Sequence, residues 1–233
     1  MEKRLTFLEH LEELRRRIII VLIFFILNST ICFFFSPHIL KILKLPAESL
    51  IERLVYFSPL ETILIYMRIA IMGGVVLSLP VILYHLWAFI SPALQEKYKK
   101  YAWQFVIFSC SLFLLGIGFG YFIFLPYILR FLLNLGKDVL QPLISGSAYL
   151  FFASSILLSC GFIFQLPGVI IILNKLGLVN YQFLRRKRRW IILFIFILSA
   201  IVTPTTDIFS LLVFALPLFI LYEISIILAR FLR

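Results

Sequence analysis

The chain has 233 residues, of which 63% are apolar, and its mean hydropathy is +1.08. That composition leaves too few polar side chains to cover a water-soluble globule, so it excludes an ordinary soluble domain and predicts a membrane protein. The formal net charge of +11 is explained by where the basic residues fall relative to the membrane, which makes nucleic-acid binding an unneeded second explanation.

Six apolar runs fill most of the chain, and a helix of about 18 or more apolar residues can cross a hydrocarbon core of roughly 30 Å. The fifth run has about 13 residues, or roughly 20 Å of helix, and Glu223 interrupts the sixth after about 15 residues. Two short final spans predict a locally thinned bilayer, snorkelling flanks or burial against a partner. The predicted spans are residues 18–35, 62–90, 101–128, 148–173, 190–202 and 208–229.

The Lys and Arg residues fall mainly in alternate gaps between these runs, with 16 of the 22 on one side. Because cytoplasmic loops carry an excess of basic residues, both termini are predicted to be cytoplasmic, in a multi-pass protein of the inner membrane. The residues assigned to the cytoplasmic side are Lys3, Arg4, Arg15, Arg16, Arg17, Lys97, Lys99, Lys100, Lys175, Arg185, Arg186, Lys187, Arg188, Arg189, Arg230 and Arg233.

The gaps on the predicted outer side contain structural signals of their own. In the first, residues 38–44 have the pattern of a short amphipathic helix that Pro46 ends. Ser58 and Glu61 flank Pro59 as a capping box that fixes the start of the second span. This gap either packs over the helix ends or contacts a partner. The later gap, around residues 127–147, is predicted to form a second external cap.

Proline interrupts four of the predicted spans, and each proline frees a backbone carbonyl that neighbours or water must satisfy. Bent helices favour a curved bundle with a concave face, and we see no linker or composition change that would divide residues 1–233 into domains. The four prolines are Pro80, Pro126, Pro167 and Pro217.

No constellation of catalytic residues is found, so we predict neither an enzyme nor a cofactor. His10, His38 and His85 lie on different elements, which argues against a metal site. The alternative function is a small-molecule transporter or channel subunit, which several charges converging at mid-membrane depth would favour. In this chain the acidic residues lie at the edges of the spans.

Several motifs resemble one family in order along nearly the whole chain. They are His10-Leu-Glu-Glu-Leu-Arg15, Ser58-Pro-Leu-Glu61, the stretch from Pro80 to Leu94, Gly120-Tyr-Phe-Ile-Phe-Leu-Pro126, Thr203-Pro-Thr-Thr-Asp207, Leu216-Pro217 and Leu221-Tyr-Glu-Ile-Ser-Ile226. By these motifs the chain is identified as a member of the TatC family, the multispanning receptors of the twin-arginine protein translocase.

The resemblance implies a function. Such proteins bind the twin-arginine signal peptide of a folded cargo on the cytoplasmic face and recruit single-span TatA/TatB-type subunits, and the proton-motive force drives transport. Self-association in a receptor complex and contact with membrane lipid are expected. The cargoes and the stoichiometry do not follow from the sequence.

The resemblance also assigns roles near the N-terminus. Carboxylates suit the recognition of two arginines, because a guanidinium pairs with them bidentately, and Glu13 matches the family's signal-binding glutamate. A solvated acidic first turn is the alternative, since such charges stabilise any helix N-terminus. Arg15 matches the arginine that follows, with a topology anchor as its alternative role.

Phe89 matches the position that lines the signal-peptide surface, and with Trp87 and Leu94 we expect it to form an apolar ledge. The alternative is an ordinary aromatic belt residue. The family's second signal-binding glutamate is replaced here by Tyr98, with Glu96 two residues earlier and therefore on another helical face. Glu13 should then account for more of the arginine recognition.

Three positions are implied to contact partner subunits. Gln165 replaces a glutamate of the concave face, so it can donate and accept hydrogen bonds but cannot titrate, and an interhelical bond inside the bundle is its alternative. Pro80 opens the most specific motif. Asp207 matches an outer aspartate, although helix capping explains it sufficiently. Glu223 is expected to pair with a basic residue of segment 185–189.

Overall fold

The computed structural model describes residues 7–48, 50–51, 54–90, 102–135, 143–175, 177, 179–202 and 208–231. Within them the chain forms nine α-helices, which we number in chain order. These are α1 Phe7–Phe34, α2 Ser36–Lys44, α3 Pro59–Ile90, α4 Ala102–Phe119, α5 Leu125–Leu135, α6 Gly146–Ile163, α7 Leu166–Lys175, α8 Tyr181–Val202 and α9 Ile208–Phe231.

Four helical stretches of the described chain are long and apolar enough to cross a membrane: Glu9–Phe34, Pro59–Ile90, Trp103–Asn134 and Gly146–Asn174. A shorter apolar helix covers Leu211–Ile227. The all-α membrane architecture is thereby confirmed. The fifth predicted run, residues 190–202, is the apolar end of the longer helix α8, in which it follows the basic residues 185–189.

α1 and α3 lie close together because small residues face each other. A Cβ at Gly74 would clash with the side chain of Ser29, and one at Gly73 would come within 2.5 Å of Cys32 Sγ. Asn28 also donates a 2.9 Å hydrogen bond to Ser78 Oγ. Small residues permit this approach in membranes, and such a polar bond adds about 0.6 kcal/mol.

The proline positions divide into two pairs. Residues Gly120–Phe124 form a π-helical turn just before Pro126, and Phe164 and Gln165 form a turn between α6 and α7 just before Pro167. Both turns accommodate a carbonyl that lacks its i+4 donor. In contrast, α3 and α9 continue through Pro80 and Pro217.

The predicted amphipathic helix is confirmed as α2, although it begins at Ser36. It ends at Lys44, and Pro46 lies in the 3-10 turn Leu45–Ala47 that follows. Tyr121 and Tyr149 each donate a 2.6 Å hydrogen bond to a carbonyl near its end, those of Ile42 and Leu43 respectively. The helix is thus fixed against α4–α5 and α6.

Glu61 joins the two gaps that are predicted to lie on the outer side, which we call the outer gaps. Its Oε2 accepts the Phe57 N–H at 2.8 Å, and its Oε1 accepts the Ser147 N–H at 3.0 Å and the Ser145 hydroxyl. Beside it, Val55 pairs with residues 144 and 146 through backbone hydrogen bonds. Glu61 does fix the start of α3, and it also ties this start to the start of α6, which the capping-box pattern does not predict.

Contacts between helix termini define the opposite end of the bundle. His10 near the start of α1 stacks on Phe89 near the end of α3, and Trp87 stacks on Phe105 near the start of α4. Ile172 near the end of α7 joins the same cluster as Trp87, and α8 begins a few residues later. We call this the basic end, because the arginines that precede the apolar parts of α1 and α8 lie there.

Candidate functional site

At the basic end, the start of α1 and the end of α3 bring several side chains together. The Arg17 guanidinium contacts Glu13 Oε1 through Nε at 3.0 Å and through Nη2, and Nη2 also donates to the Ala88 carbonyl at 3.3 Å. The His10 ring stacks on Phe89, with 4.3 Å between ring centroids and 18° between planes. Glu13 and Phe89, distant in sequence, therefore belong to one surface. We call Glu13, Arg17, His10 and Phe89 the α1–α3 cluster.

The Glu13 carboxylate is partly exposed and already paired. Its side chain is 26% exposed and that of Arg17 is 22% exposed, and His10 Nδ1 lies 3.9 Å from Glu13 Oε2. An exposed pair of this i,i+4 spacing contributes about 0.3–0.5 kcal/mol. The carboxylate is thus oriented by its own helix, and a second guanidinium can exchange with Arg17 at little cost.

Arg15 is exposed and lies on a different face of α1 from Glu13, because residues two apart on a helix point in different directions. No described residue bonds to its guanidinium. Glu96, Tyr98 and Asp207 lie outside the described residues, so their predicted roles stay predictions.

The prediction that Trp87 and Phe89 share one ledge is wrong. Trp87 is 4% exposed and stacks on Phe105 at 4.6 Å inside the bundle, whereas Phe89 is half-buried at the surface. The two rings lie on different faces of α3 because they are two residues apart. Leu94 lies outside the described residues.

Gln165 lies in the turn between α6 and α7 and bonds within the bundle. Its Nε2 donates to the Ser109 carbonyl on α4 at 2.8 Å, and no described residue donates to its Oε1. Ser109 Oγ nearby is buried and has no partner among the described residues. The amide nitrogen of Gln165 therefore makes the interhelical bond that was the alternative role. The amide oxygen can still accept a hydrogen bond. Pro80 is exposed on α3.

Sequence reasoning missed two members of the α1–α3 cluster. Arg17 is predicted only as a topology anchor and His10 only as an isolated histidine. The i,i+4 spacing of Glu13 and Arg17 was the available signal for the first. For the second, nothing local in the sequence indicates a stack on a residue 79 positions away. The predicted partner of Glu223 is observed, since Arg188 Nη2 lies 2.7 Å from Glu223 Oε1.

The described residues contain no group of three or more His, Cys, Asp or Glu side chains able to hold a metal ion. Cys32 and Cys160 are buried in the bundle, and Cys110 is partly buried.

Comparisons with known proteins all point to one family over nearly the whole chain. Residues 9–217 match the family described as Sec-independent protein translocase protein (TatC). The TatC protein of Carboxydothermus hydrogenoformans is 37% identical over 232 residues, which cover 100% of this chain and 96% of that protein. The TatC protein of Aquifex aeolicus is 38% identical over 226 residues, which cover 95% and 93%. A crystal structure of the twin-arginine translocase receptor TatC superimposes with a TM-score of 0.83 at 35% identity, covering 96% of this chain and 99% of that one.

Proposed function

The chain belongs to the TatC family of Sec-independent protein translocase proteins, and on that premise we propose that it is the receptor for twin-arginine signal peptides of folded cargo. The observation that carries this proposal is the α1–α3 cluster. Glu13 and Phe89, two of the positions to which the family resemblance gives signal-peptide roles, lie on one surface there.

Recognition then proceeds by exchange of guanidinium groups. A signal arginine approaches Glu13 and replaces Arg17 on its carboxylate, forming the bidentate pair that the planar group favours over a lysine ammonium. Arg17 retains the Ala88 carbonyl as an acceptor. The apolar part of the signal lies against Phe89, and Arg15, Glu96 and Tyr98 add contacts around it.

The remaining features of the proposal concern topology and partners. Six spans in a single domain, with both termini in the cytoplasm, place the basic end at the inner face of the cytoplasmic membrane, since the positive-inside rule puts the excess of Lys and Arg there. TatA/TatB-type subunits bind at Gln165, Pro80 and Asp207 on a concave face, receptor complexes self-associate, and the proton-motive force drives export. Nothing in the described residues favours a small-molecule transporter instead.

Binding of a labelled twin-arginine signal peptide to the purified protein, compared with its twin-lysine counterpart, tests the receptor function. We expect the wild type to prefer arginine and Glu13→Gln to lose that preference. Glu12→Gln is the matched control, because Glu12 is an exposed carboxylate one residue away on the same helix. A wild type that binds both peptides equally would contradict the proposal.

A further inference from the structure

A cavity of about 740 Å³ lies at the basic end, between the beginning of α8 and the end of α9. Its lining residues are Tyr181, Gln182, Arg185, Arg186 and Arg230. Three of these five side chains carry a positive charge and none carries a negative one. The cavity thus concentrates positive charge in a concave site that the receptor function leaves unassigned.

The neighbouring Arg188 shows what an arginine with a structural role does in this region. It pairs with Glu223 at 2.7 Å, and its guanidinium lies 5.6 Å from the Phe219 ring centroid, so it joins α8 to α9. Among the described residues no carboxylate pairs with Arg185, Arg186 or Arg230. The three arginines of the cavity therefore retain their charge and their N–H donors.

Two further features favour the binding of an anion in the cavity. The Arg230 guanidinium lies 5.9 Å from the Tyr181 ring centroid, a cation–π contact that positions the group without using its N–H donors. The N-terminus of α8 also opens here, with Asn180 Oδ1 accepting the Phe183 N–H at 2.7 Å. Its first turn contributes a positive dipole end.

The surface of α8 next to the cavity is apolar and exposed. Trp190 and Phe194 follow Arg186 by four and eight residues, so all three share one face, and the two rings are 56% and 58% exposed. One such step is about 6 Å along the helix. Tryptophan rings commonly lie at the head-group level of a membrane. Trp190 therefore places the neighbouring arginines of the cavity at that level, and Phe194, about one turn further along α8, lies toward the acyl chains.

We propose that this cavity binds the phosphate head group of an anionic phospholipid in the leaflet at the basic end. Arg185, Arg186 and Arg230 donate to the phosphate oxygens, because guanidinium groups match phosphate geometry and basic pockets between membrane helices favour such head groups. The acyl chains lie along Trp190 and Phe194. A soluble phosphate would leave that apolar stripe unused, which favours the lipid as the source.

Native mass spectrometry of the full chain, with phosphatidylglycerol or phosphatidylcholine of identical acyl chains added, tests the site. We expect the wild type to retain phosphatidylglycerol preferentially, and Arg186→Gln combined with Arg230→Gln to reduce that retention about tenfold or more. Lys187→Gln removes an exposed charge from the same helix without lining the cavity, so it should retain the lipid within about twofold of the wild type.

Three results would overturn the proposal. An equal loss in Lys187→Gln would indicate diffuse attraction to the basic segment. Equal retention of the two lipids by the wild type would exclude a head-group site. Displacement of phosphatidylglycerol by millimolar inorganic phosphate would assign the cavity to a soluble anion. The comparison of the two lipids on the wild type and the competition with phosphate need no variant. They therefore test the proposal even where a substitution prevents folding.

Discussion

Two glutamates at opposite ends of the bundle show two ways in which a carboxylate is held. Glu61 is 9% exposed and accepts hydrogen bonds from Phe57, Ser145 and Ser147, three donors fixed in the fold. Glu13 is 26% exposed and bonds to Arg17, a flexible side chain on its own helix. The donors of the first carboxylate are held in place by the fold, whereas the second has a side-chain partner that another guanidinium can replace.

The difference shows which acidic groups are suited to recognition. A carboxylate that accepts hydrogen bonds from backbone N–H groups and a hydroxyl stabilises the segments that supply these donors, and its lone pairs are already in use. A carboxylate with one partly exposed cationic partner is oriented at little cost. Both glutamates lie in family-like motifs, so it is their environments that separate the two roles.

The largest expected effect is on stability, at Glu61. We expect Glu61→Ala to lower the apparent Tm of the purified protein by roughly 5 °C or more, because the N–H groups of Phe57 and Ser147 lose their acceptor where the two outer gaps meet. Thermal unfolding in detergent, followed by circular dichroism, measures it. Glu12→Ala serves as the exposed control, and equal Tm values for the two variants would show that the outer gaps do not depend on this carboxylate.

The next effect is on binding, at Glu13. We expect Glu13→Gln to weaken twin-arginine peptide binding about tenfold or more, since a charge-assisted pair is replaced by a neutral bond, while leaving the Tm within about 1 °C. Fluorescence anisotropy gives the Kd. Glu96→Gln should have the smaller effect. Equal losses for the two variants would show that Glu96 has taken the role of the glutamate replaced by Tyr98.

A substitution of Arg17 tests how exchangeable the partner of Glu13 is, because Arg17 competes with the ligand for that carboxylate in our proposal. We expect Arg17→Gln to tighten twin-arginine binding by about twofold, the value of an i,i+4 pair, and Arg17→Lys to bind like the wild type. The same anisotropy titration, repeated at higher salt, measures the difference. Weaker binding in Arg17→Gln would mean that Arg17 positions Glu13 for the ligand instead of competing with it.

Periodicity and charge placement predicted the long apolar helices and the amphipathic α2, since both depend on local patterns that the membrane and the helix period impose. The pairing of Glu223 with a basic residue of segment 185–189 also followed from the charge pattern.

The contacts that the sequence does not reveal join residues far apart along the chain. The bond from Glu61 to residues 145 and 147, the His10 stack on Phe89 and the inward Trp87 all arise from how α1, α3, α4 and α6 pack. A capping-box pattern specifies one local acceptor and gives no information on a second segment 84 residues away. The seam of Gly73 and Gly74 against α1 is likewise a property of two helices together.

An effect as small as that at Arg17 is expected at Gln165, which lies between the two extremes that Glu61 and Glu13 represent. Its amide nitrogen is used inside the bundle by the Ser109 carbonyl, and its amide oxygen is available. We expect Gln165→Leu to cost about 0.6 kcal/mol of stability, a shift of the apparent Tm by only 1–2 °C, because one interhelical bond is lost.

Association of Gln165→Leu with a single-span partner subunit should weaken by about twofold to threefold if the free amide oxygen accepts a bond from that subunit. Gln165→Glu separates the two roles, since it removes the donor to Ser109 and keeps the acceptors. Co-purification of the partner with each variant measures association, and unchanged yields in Gln165→Leu would assign the residue wholly to the bundle, with Glu61.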